Sequence, residues 1–388
     1  MTEAPFTETA DAEVEAGIAG LVRLIAETAS GLRGVQAVLL GGSLGRGEAT
    51  VRPTPAGLRL DSDVEVYLVG SSPALHRAAT TLGTDLRALT GFDVSVAWLH
   101  PTRLRRARAK NLSMRSSRTI QLYELRVGSR LLAGSWPVMA DLDPSKLPLA
   151  EGVRLILNRF AEASVAVAGE SVQATRWVDK VAMAAGDTLL LAAGSYTASY
   201  RERAKRLSSA DVGWDLPPGW RKALLAAYDR KLQAVGGSTT AAETASIAAT
   251  VLRHAVEATI GLRVSDWGDF ADLFVPHAAR HEPYLRYLPA FGPAAIYEAC
   301  IVLIRARRAG RALSQAAVLQ AARGRPLSLW LQAAAAPLFL GVAEGRPELL
   351  RAAGLALQRA GVPSRCVDSC RSALDLVRLH NRYWQVST

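Results

Sequence analysis

Asp63 and Glu65 stand two residues apart in "DSDVEVYLV" (61–69), downstream of the small-residue turn "GGSLGRG" (41–47). In an extended strand, residues i and i+2 project to one face, so both carboxylates address the same space. Hard divalent cations take carboxylate oxygens, and magnesium keeps several waters while accepting one or two acids. Two such ions about 3.5–4 Å apart clamp the attacking and leaving oxygens of an in-line displacement at phosphorus. Gly42 and Ser43 would leave backbone N–H groups open to phosphate oxygens, best of all at a helix N-terminus. A third acid from a neighbouring strand would complete the cluster, and Asp93 in "FDVSVAWL" (92–99) is the acid on that strand. Asp61 faces the side of Asp63 if the strand starts early, and it is the second choice. The plainer alternative is a strand whose acids simply face water.

These residues need elements to hold them. Val14, Ile18, Leu21, Leu24 and Ile25 make one apolar stripe at helical spacing, which predicts a helix over 11–32. "VQAVLL" (35–40) reads as a short buried strand running into Gly41, "DVEVYLV" (63–69) as a second strand and 92–99 as a third. A helix over 73–89 lies between the last two, with Pro73 near its start, where its missing N–H is harmless. From 120, "IQLYELRVGSRLLAGSWP" predicts an apolar helix turning into a short extended piece. "DLDPSKLPLAEG" (141–152) is rich in Pro and Asp and reads as a linker. Beyond it the chain is Ala- and Leu-rich and helical, broken at "GWDLPPGW" (213–220), "VGGS" (235–238) and "FVPHAARHEP" (274–283). The expected fold is therefore α+β: a small N-terminal α/β domain over 1–140, a mixed sheet with flanking helices, then a mostly helical domain over 141–388.

Composition narrows the partners. The chain has 388 residues, 49% hydrophobic and 21% charged, with a formal net charge of +11, as expected for a globular protein with anionic partners. Cys300, Cys366 and Cys370 are too few for a disulfide framework, and Cys366 and Cys370 read as small buried residues on one helical face. The acidic start "MTEAPFTETADAEVEAG" lacks the pattern of a signal peptide. "LSLWLQAAAAPLFLGVA" (327–343), interrupted by Gln332 and Pro337, falls short of a membrane span and reads as a buried helix pair. A cytoplasmic protein without membrane contact is the expectation.

"GGS…SDVEVYLV" resembles the signature of the DNA polymerase β-type nucleotidyltransferase superfamily: a Gly-[Gly/Ser] turn, then Asp-h-[Asp/Glu]-h with h apolar. "GSLGRG" and "SDVE" are especially similar to aminoglycoside-type members. The resemblance implies Gly42 and Ser43 on the phosphate-binding turn, Asp63 and Glu65 as metal ligands and Asp93 as third carboxylate. It also implies two Mg2+ ions, which Mn2+ can replace, and an NTP substrate, with ATP the first choice. The stretch between Ser43 and Asp63 is longer than usual, and "TVRPTPAGLRL" reads as an inserted β-hairpin. "WVDKVAMAAGDTLLLAAGSYTASY" (177–200) is similar to a helix whose Lys reaches the triphosphate before a Ser/Tyr turn. That implies Lys180 and Tyr196 in nucleotide binding. Arg176 stands where such enzymes carry a basic carboxylate, which leaves Asp179 or Asp93 as base.

The acceptor is expected to be a small hydroxyl-bearing molecule, for which aromatic turns such as "GWDLPPGW", "SDWGDF" and "HEPYLRYLPAF" could wall a pocket. The basic run "RLRRARAKNLSMRSSR" (103–118) keeps two alternatives open: an RNA-acting nucleotidyltransferase and an oligonucleotide synthase. A non-catalytic nucleotide-binding protein is a third. "HAARH" (277–281) has two His four apart but lacks the intervening Glu of a zinc protease.

Overall fold

In the computed structural model, which describes residues 5–54, 57–105, 119–169, 174–233, 239–281 and 327–387 with Ile304 and Arg307, the chain is mixed α/β. Asp11 starts the first helix, α1 (Ala12–Ser30), by accepting from the N–H groups of Glu13 and Val14 at 3.1 and 3.0 Å. Strand β1 (Ala37–Leu40) follows, then a one-turn helix α2 (Gly42–Arg46), a hairpin of β2 (Val51–Thr54) and β3 (Gly57–Leu60), and strand β4 (Val64–Val69). The hairpin is antiparallel, with Val51 opposite Leu60. Helix α3 (Ala74–Thr90), strand β5 (Val94–Leu99), helices α4 (Pro101–Arg105) and α5 (Thr119–Gly128) and strand β6 (Arg130–Gly134) complete this part.

Four of these strands form one sheet in the order β5-β4-β1-β6, antiparallel except for the β4–β5 pair. All of β1 is buried, because both faces of the sheet are covered. Val38 and Leu40 pack with α1 and α3 through Ile18, Ile25, Leu82 and Leu86, while Ala37 and Leu39 pack with Leu104, Leu122 and Leu125 on the opposite face. In β4, Val64, Val66 and Leu68 belong to the first face, and Tyr67 and Val69 to the second. Glu65 shares the second face by alternation.

After a 3-10 turn at Pro144–Lys146 come α6 (Ala150–Ala168), α7 (Ala174–Ala192), α8 (Tyr200–Ser209), α9 (Trp220–Gln233), α10 (Ala241–Ile260) and α11 (Phe270–His281). Four further helices are described: α12 (Leu327–Ala343), α13 (Pro347–Arg359), α14 (Ser364–Asp368) and α15 (Ala373–Ser387). Their apolar faces converge on a large core, with Phe160 of α6 stacked on Phe339 of α12 at a 4.7 Å centroid distance. The 327–343 run is one helix rather than a pair, with Pro337 inside it. Proline removes one helical hydrogen bond, a loss that burial of Leu331, Ala334, Leu338 and Phe339 outweighs. Cys366 and Cys370 are half-buried against this core. Among the described residues, no helix is long and apolar enough to cross a membrane. Cys300, the basic run beyond Arg105 and the 235–238 break lie outside the described residues.

His380 on α15 is fully enclosed, its Nε2 within 2.9 Å of the Leu331 carbonyl and its ring stacked on Trp384. Burial pushes its pKa down to about 4, with the Leu331 carbonyl opposing only in part. The fold thus holds a neutral ring, and protonation favours the unfolded chain. This contribution is complete above the ordinary value of 6.5 and is lost as pH falls from there toward about 4. The loss should reach about 3 kcal/mol. His380→Gln should flatten the dependence of melting temperature on pH between 6.5 and 4, measured by circular dichroism.

Candidate functional site

Asp63 lies one residue before β4 and Glu65 within it, so the strand ladder sets the direction of both. Tyr67, two residues on and on the same face, donates its hydroxyl to Glu65 Oε2 at 2.7 Å and accepts from Gln121 Nε2 at 2.8 Å. This chain ties Glu65 to α5. Across from it, Gly42 has φ +63°, and a Cβ there would come within 2.9 Å of Glu65 Oε1. The turn therefore needs glycine twice, for its left-handed backbone and for the space Glu65 occupies. Gly42 and Ser43 are the first residues of α2, with Ser43 buried.

The opposite wall comes from helices. Arg176, Asp179, Lys180, Met183 and Asp187 follow one face of α7 at three- and four-residue spacing, and Arg230 and Lys231 come from α9. Together with Ser43, Asp61, Asp63, Glu65 and Arg159 they line a cavity of about 540 Å³. Arg176 Nη2 lies 2.9 Å from Asp63 Oδ1, and Lys180 Nζ lies 3.6 Å from Asp63 Oδ2 and 4.2 Å from the centre of the Trp177 ring. Burial works to raise the Asp63 carboxyl, but Lys180 and Arg176 outweigh it and hold the group below its ordinary value. Lys180 itself is lowered, by burial first, with Asp63 opposing.

Lys231 is one of the cations that sequence reasoning missed, with Arg59, Arg159 and Arg230. Its Nζ donates to Ser62 Oγ at 2.7 Å, and its backbone carbonyl accepts from the Thr50 hydroxyl. Burial, then the nearby charges of Arg176 and Lys180, bring its pKa down to about 8. A Lys inside "DRKLQ" carries no local signal for this position. Only the β2–β3 hairpin, flanked by Thr50 and Ser62, and the packing of α9 on α7 bring it in.

Other expected residues sit elsewhere. The β4–β5 register puts Asp93 beside Asp63 in the backbone, with the Val64 N–H donating to the Asp93 carbonyl at 2.9 Å. Its carboxylate, however, is 75% exposed, 3.8 Å from Arg87 Nε, and does not line the cavity. Tyr196 is buried in the helical core, donating to Glu124 Oε1 at 2.6 Å, and is not part of the cavity wall. Asp179 is held by Arg230, whose Nε reaches both carboxylate oxygens at 3.0 Å, which occupies the acceptors a base would use. Asp61, the second choice, does line the cavity, 3.1 Å from Arg59 Nε.

Among the described residues, no three His, Cys, Asp or Glu side chains are grouped to hold a metal ion. Asp63 and Glu65 supply two carboxylates on one cavity, the set magnesium accepts when it arrives with substrate phosphates. The residues present thus fit an ion brought by a triphosphate, without the third acid expected from Asp93. No protein family, curated protein or solved structure matches this chain. The geometry of the cavity is therefore what bears on function.

Gly42→Ala should cost about 1–2 kcal/mol, from the left-handed backbone and the displaced Glu65. Gly20→Ala, in an exposed turn of α1 with nothing within 4 Å, should instead stabilise by about 0.5–1 kcal/mol. Urea unfolding of both variants checks the opposite signs.

Proposed function

We propose that the protein is a nucleotidyltransferase that moves a nucleoside monophosphate from an NTP, ATP being the first to test, to a hydroxyl of a small acceptor. The observation that carries this reading is the convergence of Asp63, Glu65 and Ser43 on a cavity faced by Arg176, Lys180 and Lys231. In the proposed reaction the acceptor oxygen bonds to the α-phosphorus, the bond to the β-bridging oxygen breaks and pyrophosphate leaves. Magnesium, held by Asp63 and Glu65, would offset charge developing on the phosphate oxygens. Arg176, Lys180 and Lys231 would bind the β- and γ-phosphates and stabilise the leaving pyrophosphate. Tyr67 would keep Glu65 aimed at the cavity. With Glu65 assigned to the metal, Asp61 is the cavity acid that could take the acceptor proton, because its pair with Arg59 is open to water while Asp179 is held in a nearly buried pair with Arg230 and Asp93 lies outside.

The net charge of +11 also favours RNA as acceptor. Incubation with each labelled NTP, magnesium and a cell extract, with and without nuclease, separates the two. Label should appear in the low-mass fraction and survive nuclease. Label confined to RNA would move the assignment to the RNA-acting reading, and no label with any NTP would favour a nucleotide-binding protein without catalysis. Asp63→Ala and Glu65→Ala should each lower transfer by at least about a hundredfold, the scale of removing one charge-stabilising group. Near-normal turnover in Asp63→Ala would remove the assignment.

Lys231 gives this reading a pH signature. With a pKa of about 8, its positive charge is present below that value and is lost as pH rises through it. Nucleotide affinity should therefore weaken above about pH 8 in the wild type. Lys231→Arg, whose guanidinium stays charged, should keep its affinity to higher pH. Equilibrium binding of a fluorescent ATP analogue across this range checks it.

A further inference from the structure

Three cations gather around Asp63, two in contact with its carboxylate and one on the neighbouring serine. Arg176 and Lys180 both contact Asp63, at 2.9 and 3.6 Å, and Lys231 binds Ser62, the residue before it, at 2.7 Å. The remaining basic side chains of the cavity have acids of their own: Arg59 pairs with Asp61, Arg230 with Asp179 and Arg159 with Glu162. The charge left over is therefore concentrated at Arg176, Lys180 and Lys231, where Asp63 is the carboxylate in contact, while Glu65, the cavity's other acid without an ion pair, is hydrogen-bonded by Tyr67; three cations face two carboxylates. Such a cluster is unfavourable without anions, and Asp63 supplies one of them.

We propose that Asp63 is an internal stand-in for a ligand phosphate: in the ligand-free protein it occupies part of a polyphosphate site formed by Arg176, Lys180 and Lys231. A polyphosphate then binds these three groups without any metal, and it does so by displacing the Asp63 carboxylate from Arg176 and Lys180. Polyphosphate suits the site better than a single carboxylate for two reasons. Three cations from two helices exceed what one negative charge can satisfy, and the Arg176 guanidinium matches phosphate oxygens in a two-pronged fashion while the lysines act as mobile point charges. Asp63 is 41% exposed on its side chain, so its two ion pairs are weak enough to exchange. The choice of polyphosphate as the anion rests on the proposed nucleotidyl transfer, but the exchange itself does not require catalysis.

The test is calorimetric titration of inorganic tripolyphosphate into the full chain at pH 7 with EDTA present. The wild type should bind. Asp63→Asn and Asp63→Ser should each bind about tenfold more tightly, because the competing charge is gone, and Lys231→Met should bind about tenfold more weakly. Asp85→Asn, which removes an exposed acid of α3, should change affinity less than about twofold, separating local competition from net charge. Circular dichroism melts identify variants that have lost the fold, and two substitutions at Asp63 guard against one failing. Unchanged or weaker binding in folded Asp63 variants overturns the proposal, as does unchanged binding in Lys231→Met or no binding in wild type. The titration contains no nucleotide, metal or acceptor, so it stands or falls separately from nucleotidyl transfer. Tripolyphosphate binding with the expected order, in a protein that labels nothing, would remove the transferase reading alone.

Discussion

Arg203 is the charge on which the sheet and the helices meet. Its guanidinium is almost wholly buried and pairs with Glu124 of α5 and, at 3.0 Å, with Asp187 of α7. It also donates to the carbonyls of Thr197 and Ala198 at 2.6 and 3.0 Å. Its plane lies over the rings of Tyr196 and Tyr200, and Arg46 of α2 lies over the Tyr200 ring at 4.7 Å. Arg46 pairs in turn with Glu124 and Glu48, and Glu48 accepts from the Ser199 hydroxyl and the Tyr200 N–H at the start of α8. Burial works to raise the Glu124 carboxyl, but Arg203 and Arg46 outweigh it and keep it charged. Removing one member of such a network strands a buried charge, typically at about 3–5 kcal/mol. The 41–47 turn, α5, α7 and α8 are thus coupled through one set of ions, and α7 cannot rotate without breaking it. Since α7 carries Arg176 and Lys180, the wall facing Asp63 is set by a network that lies behind it.

The parts of this architecture written in local chemistry were legible. The alternation of Asp63 and Glu65 with Val64 and Val66 marked a strand with an acidic face, and that strand is present. The apolar stripe of α1, the buried β1 and the 51–60 hairpin each follow from a pattern within a few residues. What depends on distant pairing was not legible. Arg176 meets Asp63 across 113 positions and Lys231 meets Ser62 across 169, and nothing near either residue encodes the partner. Asp93 shows the opposite failure. The strand register correctly brought its backbone to Asp63, yet register does not decide whether a residue before the strand turns to the cavity or to Arg87. Tyr196 follows a glycine turn as read, but its hydroxyl is consumed by Glu124 in the core.

The β2–β3 hairpin illustrates how a local element becomes part of a site built by distant residues. Thr50 and Ser62 flank it, and the Thr50 N–H donates to Ser62 Oγ at 3.2 Å, closing its base. The same Ser62 oxygen accepts from Lys231, and the Thr50 hydroxyl reaches the Lys231 carbonyl. One residue of α9 is thereby held at its backbone and at its tip by the two ends of the hairpin. A shorter connection between Ser43 and Asp63 would offer neither contact, and a buried amine there would lose its hydrogen bond to Ser62.

The ion pairs of the cavity divide by exposure, and the division has a mechanical consequence. Arg230 and Asp179 are nearly buried and joined by several hydrogen bonds, so they fix α9 against α7 and with it the backbone of Lys231. Asp63 with Arg176 and Lys180 is more open, at 41%, 33% and 18% side-chain exposure. Water and salt weaken open pairs far more than buried ones. A ligand anion can therefore rearrange the second set without disturbing the first, because the cost of exchanging an open pair is small against the cost of unpairing a buried one. The cavity combines a rigid electrostatic frame with a soft inner contact, and the soft contact is the one that includes the acid proposed to act on the ligand. Fixing the helices with Arg230 rather than with Lys180 is what leaves Lys180 able to change partners.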